Sequence, residues 1–228
     1  MNGYSPTLAL VTGVFEVIVA VWAFTSRGRR HILVPAGLIL WFLAGYQFAE
    51  VWVCANPANT TAARLAFVDI VWLPPLGLWL VLRLSGRARS WIEYAVLGYF
   101  AAAGVLSVWI FVAQDFVAGS VCEVVIAWYD NPTVLYDVYC AFYQLGLVAI
   151  VFGAASGLAW SDDGVLRRHL ADVQMGTLGF VLPAMLVRIS LSGLEGAVSS
   201  VMCHFALVLA VFLTRLIFRE RRFASVKG

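Results

Sequence analysis

The stretch Leu76-Gly77-Leu78-Trp79-Leu80-Val81-Leu82-Arg83-Leu84-Ser85-Gly86-Arg87-Ala88-Arg89 decides how the rest of the chain is read. An apolar run stops on a cluster of three arginines. In a polytopic membrane protein, short loops rich in Lys and Arg mark the cytoplasmic side. The same punctuation recurs at Arg27, Arg29 and Arg30, at Arg167 and Arg168, and at Arg219, Arg221 and Arg222 with Lys227. Lys227 is the single lysine beside fourteen arginines.

Working outward from these clusters, seven apolar runs are predicted to span, at about 7–25, 32–53, 64–83, 91–113, 133–159, 170–190 and 197–218. Each is roughly the 20 residues a helix needs to cross the hydrocarbon core. Arginine clusters follow runs one, three, five and seven, which predicts an N-out/C-in orientation. The expected fold class is all-α: a polytopic membrane protein, a seven-transmembrane helix bundle forming one domain over residues 1–228. Its main partner is then the lipid bilayer, and its expected location is the cell (plasma) membrane, multi-pass.

Composition agrees. The 228 residues are 62% hydrophobic and 12% charged, and mean hydropathy is +0.89. A soluble domain has nowhere to hide so much apolar surface. The net charge of +2 has its basic part in loops, which implies no nucleic acid partner. Residues 1–7 lack a basic n-region and a cleavage site, so the first run reads as a span and not a signal peptide.

Several chemistries are excluded. A retinal protein needs a lysine inside a span, and Lys227 lies in the tail. His31 and His169 fall at the cytoplasmic edge and His204 in the outer half, so the three do not converge on a metal. The four cysteines form no CxxC pair and no zinc-like Cys/His spacing. No Ser-His-Asp set, P-loop or dinucleotide fingerprint is present. No catalytic residue, metal or cofactor is therefore assigned.

Ionisable groups inside spans are costly and face an interior or a wet cavity. Here they gather in the centre and outer half: Glu16 on run one, Gln47 and Glu50 on run two, Asp69 on run three, Asp137 and Gln144 on run five, Arg188 on run six, His204 on run seven. Gln47 and Glu50 share a helix face, as do Asp137 and Gln144. Aromatics interleave, among them Trp72 and the stripe Tyr136, Tyr139, Tyr143. Two readings stand: a ligand pocket opening outward, or pairing that holds helices together. The pocket reading takes Glu16, Gln47, Glu50, Asp69, Trp72, Asp137, Tyr143, Gln144, Arg188 and His204 as ligand-binding. Its carboxylates outnumber Arg188 and His204, so it favours cations, amines or protons. The inner half carries only Glu93, Asp172 and Gln174 near its interface, so the chemistry is expected on the outer side.

The longest connection, Gln114 to Pro132, contains Val121-Cys122-Glu123-Val124-Val125-Ile126-Ala127-Trp128-Tyr129. It reads as a short hairpin over the outer mouth or as a re-entrant segment. Cys54 and Cys122 both fall on that side, as a disulfide or as two unpaired thiols. Cys140 and Cys203 lie inside spans as packing residues. Pro74-Pro75 and Pro183 interrupt runs three and six, as hinges or as static bends. Asn59-Thr60-Thr61 matches a glycosylation sequon.

Three stretches carry a resemblance: Gly45-Tyr-Gln-Phe-Ala-Glu-Val-Trp52, Val71-Trp-Leu-Pro-Pro-Leu76 followed by Leu82-Arg-Leu-Ser-Gly-Arg87, and Ser200-Val-Met-Cys-His-Phe-Ala206. Together they resemble an uncharacterised family of small bacterial seven-span membrane proteins. Leu73-Pro74-Pro75 with the following Arg-x-x-Gly-Arg is also similar to the seven-transmembrane sensor domain of bacterial histidine kinases. That resemblance implies an N-out/C-in bundle with an outer hairpin between spans four and five. It also implies signalling through a separate partner, since this chain ends at Gly228 without a kinase. The expected function is a sensor-like protein binding a small, cationic ligand or protons. The alternatives are a membrane-embedded enzyme using Glu50 with Asp69 or Asp137 as acids, like compact terpene cyclases, a transporter, and an interaction subunit.

Overall fold

The computed structural model describes residues 6–86, 90–122, 127–190 and 198–227, with the side chains of 90, 184, 187–190, 198–200, 203 and 225–227 outside that description. Among the described residues, eight helices and one hairpin follow in order: α1 (Thr7–Thr25), α2 (Arg30–Ala55), α3 (Thr60–Ile70), α4 (Leu73–Ser85), α5 (Ser90–Val112), β1 (Gly119–Cys122), β2 (Ala127–Asp130), α6 (Val134–Trp160), α7 (Gly164–Ser190) and α8 (Val198–Lys227). The molecule is helical and multi-pass. Five stretches among the described residues are long and apolar enough to cross a bilayer: α1, α2, α3 with α4, Trp91–Val112 of α5, and α6. Large apolar side chains on the outside, such as Ile18, Leu97, Val108 and Phe152, are exposed in the isolated chain, as lipid contact requires.

The third apolar run is two helices. α3 stops at Ile70, and Val71-Trp72 make a turn. Prolines at the start of α4 lack the N–H that a continuous ladder would need, so they sit where first-turn donors have no intrahelical partner anyway. Asn59 caps α3, its side-chain oxygen accepting from the Ala62 N–H at 3.3 Å, so the sequon asparagine has a structural task. Gly86 closes α4 in the left-handed region, φ +64°, where glycine carries no Cβ penalty.

α2 is central. α1 packs along one side of it, α3 and α4 along another, and α8 closes on its arginine-bearing end. α4 packs on α6 through small residues. A Cβ on Gly146 would overlap the Pro74 Cβ, and one on Gly77 would overlap Ile150 Cδ1. Without a hydrophobic force between helices in lipid, such close approach supplies the packing. Gly146→Ala meets a rigid proline ring and is expected to cost about 1–3 kcal/mol, read as a lower melting temperature in detergent.

β1 and β2 pair antiparallel, with Gly119 opposite Asp130 and Cys122 opposite Ala127. Cys54 and Cys122 are joined by a disulfide, S–S 1.94 Å, which ties this hairpin to the end of α2. Residues 123–126, including Glu123, lie outside the described residues. Phe67 of α3 meets Phe116, Tyr129, Tyr136 and Tyr139 edge-on, with centroids 5.1–6.1 Å apart. Arg64 is buried there, donating to the Phe111 carbonyl at 2.8 Å and so capping the end of α5.

Two helix boundaries differ from expectation. α7 starts at Gly164, not near 170, so Arg167, Arg168 and His169 are helical and not in a loop. α8 runs past 218 to Lys227 and carries Arg219 to Arg222 with it. Hydropathy marks where the hydrocarbon ends, whereas a helix ends where its backbone bonding ends. Arginines can extend a helix into the interface while their heads stay wet.

Candidate functional site

α2 presents two faces of different character. Leu43, Tyr46, Gln47, Glu50 and Val53 are buried in the bundle. Phe42, Gly45, Ala49 and Trp52, at three- and four-residue spacing, line a groove of about 430 Å³ with Phe48, and with Leu65, Val68, Asp69 and Trp72 of the α3–α4 rod. Phe48 and Trp52 are exposed at its rim. α1 and α5 flank it: a Cβ on Gly13 would lie 3.2 Å from Phe48, and one on Gly104 would lie 3.8 Å from Trp72. The groove therefore opens sideways, in the half of the bundle nearer the hairpin.

Asp69 is its charged group. The carboxyl rests on α2 at Gly45, where a Cβ would fall 2.7 Å from Oδ1 and 2.8 Å from Oδ2. Glycine is needed at 45 for this approach. Asp69 accepts a hydrogen bond from the Tyr46 backbone N–H, and its Oδ2 has no hydrogen-bond partner among the described residues. A buried acceptor left unpaired is costly wherever water is scarce. Trp72 stacks on Phe42 at 6.5 Å and leans on Phe100 at 6.4 Å, so the turn between α3 and α4 also forms a wall of the groove.

Of the residues assigned to one pocket from sequence, Asp69 and Trp72 are the two that line this groove among the described residues. Gln47 and Glu50 do share a face, but it is the opposite face of α2, and both are buried there. Glu16 is fully buried on α1, and neither carboxyl oxygen has a hydrogen-bond partner among the described residues. Asp137 and Gln144 correct the expectation more sharply: both are exposed on the outside of α6. Tyr136, Tyr139 and Tyr143, interleaved with them on α6, turn inward instead. Tyr143 is buried with Tyr139 in the aromatic core and not at a pocket wall. Period fixes which residues share a face but leaves open which way that face looks. His204 is half-buried on α8. The side chain of Arg188, like Glu195, Arg87 and Arg89, lies outside the described residues.

The arginine-bearing end holds a buried ion-pair network that was not expected from the sequence. Glu220, fully buried, accepts from Arg29 Nη2 at 2.6 Å, Arg29 Nε at 2.8 Å and the Arg29 backbone N–H at 2.9 Å. It also meets His169 Nε2 at 3.1 Å. Burial alone would push the Glu220 carboxyl up. The hydrogen bonds from Arg29 and His169 outweigh it and hold the group well below the usual carboxylate range. The same bond raises the Arg29 guanidinium. Asp172 forms a second node, 2.5 Å from Arg219 and 3.5 Å from Arg215. The α1–α2 loop, α7 and α8 are thereby clamped together. In sequence, the signal available for Glu220 was an acid standing alone between Arg219 and Arg221.

Among the described residues, no group of His, Cys, Asp and Glu is arranged to hold a metal. Comparison with protein-family models, with curated proteins and with solved structures finds no match.

Proposed function

We propose that this chain is a seven-span, N-out/C-in plasma-membrane protein whose lateral groove binds an amphiphilic ligand bearing a cationic or hydrogen-bond-donating head, in a sensor-like role relayed to a partner. α7 and α8, at 27 and 30 residues, supply spans six and seven. The disulfide and hairpin at one end and the arginines at the other support the orientation. The observation that carries the binding reading is Asp69 Oδ2, unpaired beside a groove walled by Phe42, Phe48, Trp52 and Trp72. The aromatics would cover an apolar body and attract a cation, and the side opening would admit a ligand dissolved in lipid. Trp72, at the α3–α4 break, is placed to turn occupancy into movement of α4.

The test is thermal stabilisation of purified protein by a long-chain primary amine against the alcohol of equal length. The amine is expected to stabilise more, and Asp69→Asn to weaken it roughly 10- to 150-fold, the value of a hydrogen bond to a charged group. Equal stabilisation by amine and alcohol, or an unaffected Asp69→Asn variant, overturns the reading. One observation favours a second reading: a lone carboxyl among four aromatics also suits an acid that forms a carbocation on a polyprenyl chain. Asp69-dependent turnover of such a substrate would favour that enzyme instead.

A further inference from the structure

The clamp does not take every arginine at this end. Arg29, Arg215 and Arg219 are taken by Glu220 and Asp172. Asp163 is engaged as the cap of α7, accepting from the Val165 N–H at 2.7 Å. Arg27 and Arg221 are exposed and have no salt-bridge or hydrogen-bond partner among the described residues. Arg222, also exposed, holds its guanidinium 4.3 Å from the Phe218 ring centroid.

These arginines finish two lipid-facing stripes. On α8, exposed Leu207, Val211 and Phe218 run down one face, and Arg221 and Arg222 continue it at three and four residues beyond Phe218. On α1, exposed Val14, Ile18 and Val21 run in the same direction toward Arg27. Trp22 and Phe218 join the stripes, ring centroids 6.4 Å apart. The Arg29–Glu220 bonds hold the ends level, with Gly28 so close that a Cβ would lie 3.1 Å from Glu220 Cγ. Apolar stripe, aromatic pair and then guanidinium is the order of an acyl chain, a glycerol region and a phosphate.

We propose that the α1–α8 edge binds one anionic phospholipid, with its acyl chains over Trp22 and Phe218 and its phosphate between Arg27, Arg221 and Arg222. The guanidinium fork matches phosphate oxygens in a way an ammonium does not, which suits an edge built from arginine alone. Net negative charge selects the lipid, because a zwitterionic headgroup cancels the attraction. The site lies at the opposite end from the Asp69 groove and does not depend on it.

The experiment is melting of the full chain in neutral detergent with phosphatidylglycerol, with phosphatidylcholine of the same acyl chains, and with inorganic phosphate. Native mass spectrometry read in parallel counts retained lipid. Phosphatidylglycerol is expected to raise the melting temperature and to stay bound at one per chain. Arg27→Gln, Arg221→Gln and Arg222→Gln are each expected to weaken it roughly fivefold, and Phe218→Ala to weaken it further. The mass-spectrometric count keeps the result readable if the triple variant melts early. Equal retention of phosphatidylcholine, or retention unchanged in the triple variant, overturns the proposal. Full stabilisation by inorganic phosphate also overturns it, since that describes an ion site and not a lipid site.

Discussion

Glu220→Ala is expected to be the most damaging single substitution among the ion pairs of the described residues, at about 3–5 kcal/mol, the cost of breaking a buried ion pair from one side. The carboxylate is fully buried and is the common acceptor for Arg29 and His169. Its removal strands a half-buried guanidinium and a buried imidazole, and frees the α1–α2 loop from α7 and α8. Arg83→Gln makes the contrast: that arginine meets Glu93 at 3.6 Å, both side chains are 41–45% exposed, and the loss should be within about 1 kcal/mol. Urea or thermal unfolding in detergent reads both. The pH dependence has a definite sign. The folded Glu220 carboxyl lies below its unfolded value. Its stabilisation is thus fully present above the ordinary carboxylate range, about pH 4–5, and is lost as pH falls through the lower folded value. Wild-type protein should lose stability in that acid window, and Glu220→Ala should show a flatter profile there. Equal melting of Glu220→Ala and wild type across the window would remove the clamp from the account.

Loss of the Cys54–Cys122 disulfide is the second large expected effect, about 2–4 kcal/mol. The bond joins positions 68 residues apart and anchors the β1–β2 hairpin to α2. Ser120 donates to the Pro57 carbonyl at 2.9 Å beside it, a contact too weak to hold the hairpin alone. Cys54→Ser with Cys122→Ser should melt earlier than the parent in the absence of reductant and equally in its presence. A melting temperature insensitive to both reductant and the double substitution would count against the bond. The same cysteines test orientation: after reduction, a membrane-impermeant thiol reagent should label them from outside intact cells.

Much of the architecture was legible in one dimension because lipid imposes it. A span must be helical, apolar and about 20 residues long, so composition announces it directly. The break at Val71-Trp72 was foreshadowed by Pro74-Pro75, since a missing donor is a local fact. The site was legible only in pieces. Asp69 and Trp72 stood out as a polar and an aromatic residue of the third apolar run. Their companions Phe42, Gly45 and Ala49 carry no chemical signal of their own and become a groove only when α3 lies against α2. Asp137 and Gln144 had as strong a signal as Asp69 and face the other way.

By itself, the sequence determined what bears on single helices: where the apolar stretches lie, where they are interrupted, which residues share a face, and that the ends differ in charge. These follow from the bilayer and from helical period, which act on local composition. Only the tertiary structure decided which face of each helix turns inward, that Asp69 meets Gly45, and that Glu220 reaches Arg29 across 191 positions of chain. Those outcomes depend on how whole helices pack, and packing is set by shape fitted between distant segments. The arginines belong to both accounts: their clustering is a local feature of the sequence, and the pairing of Arg29, Arg215 and Arg219 with buried carboxylates is a product of the fold.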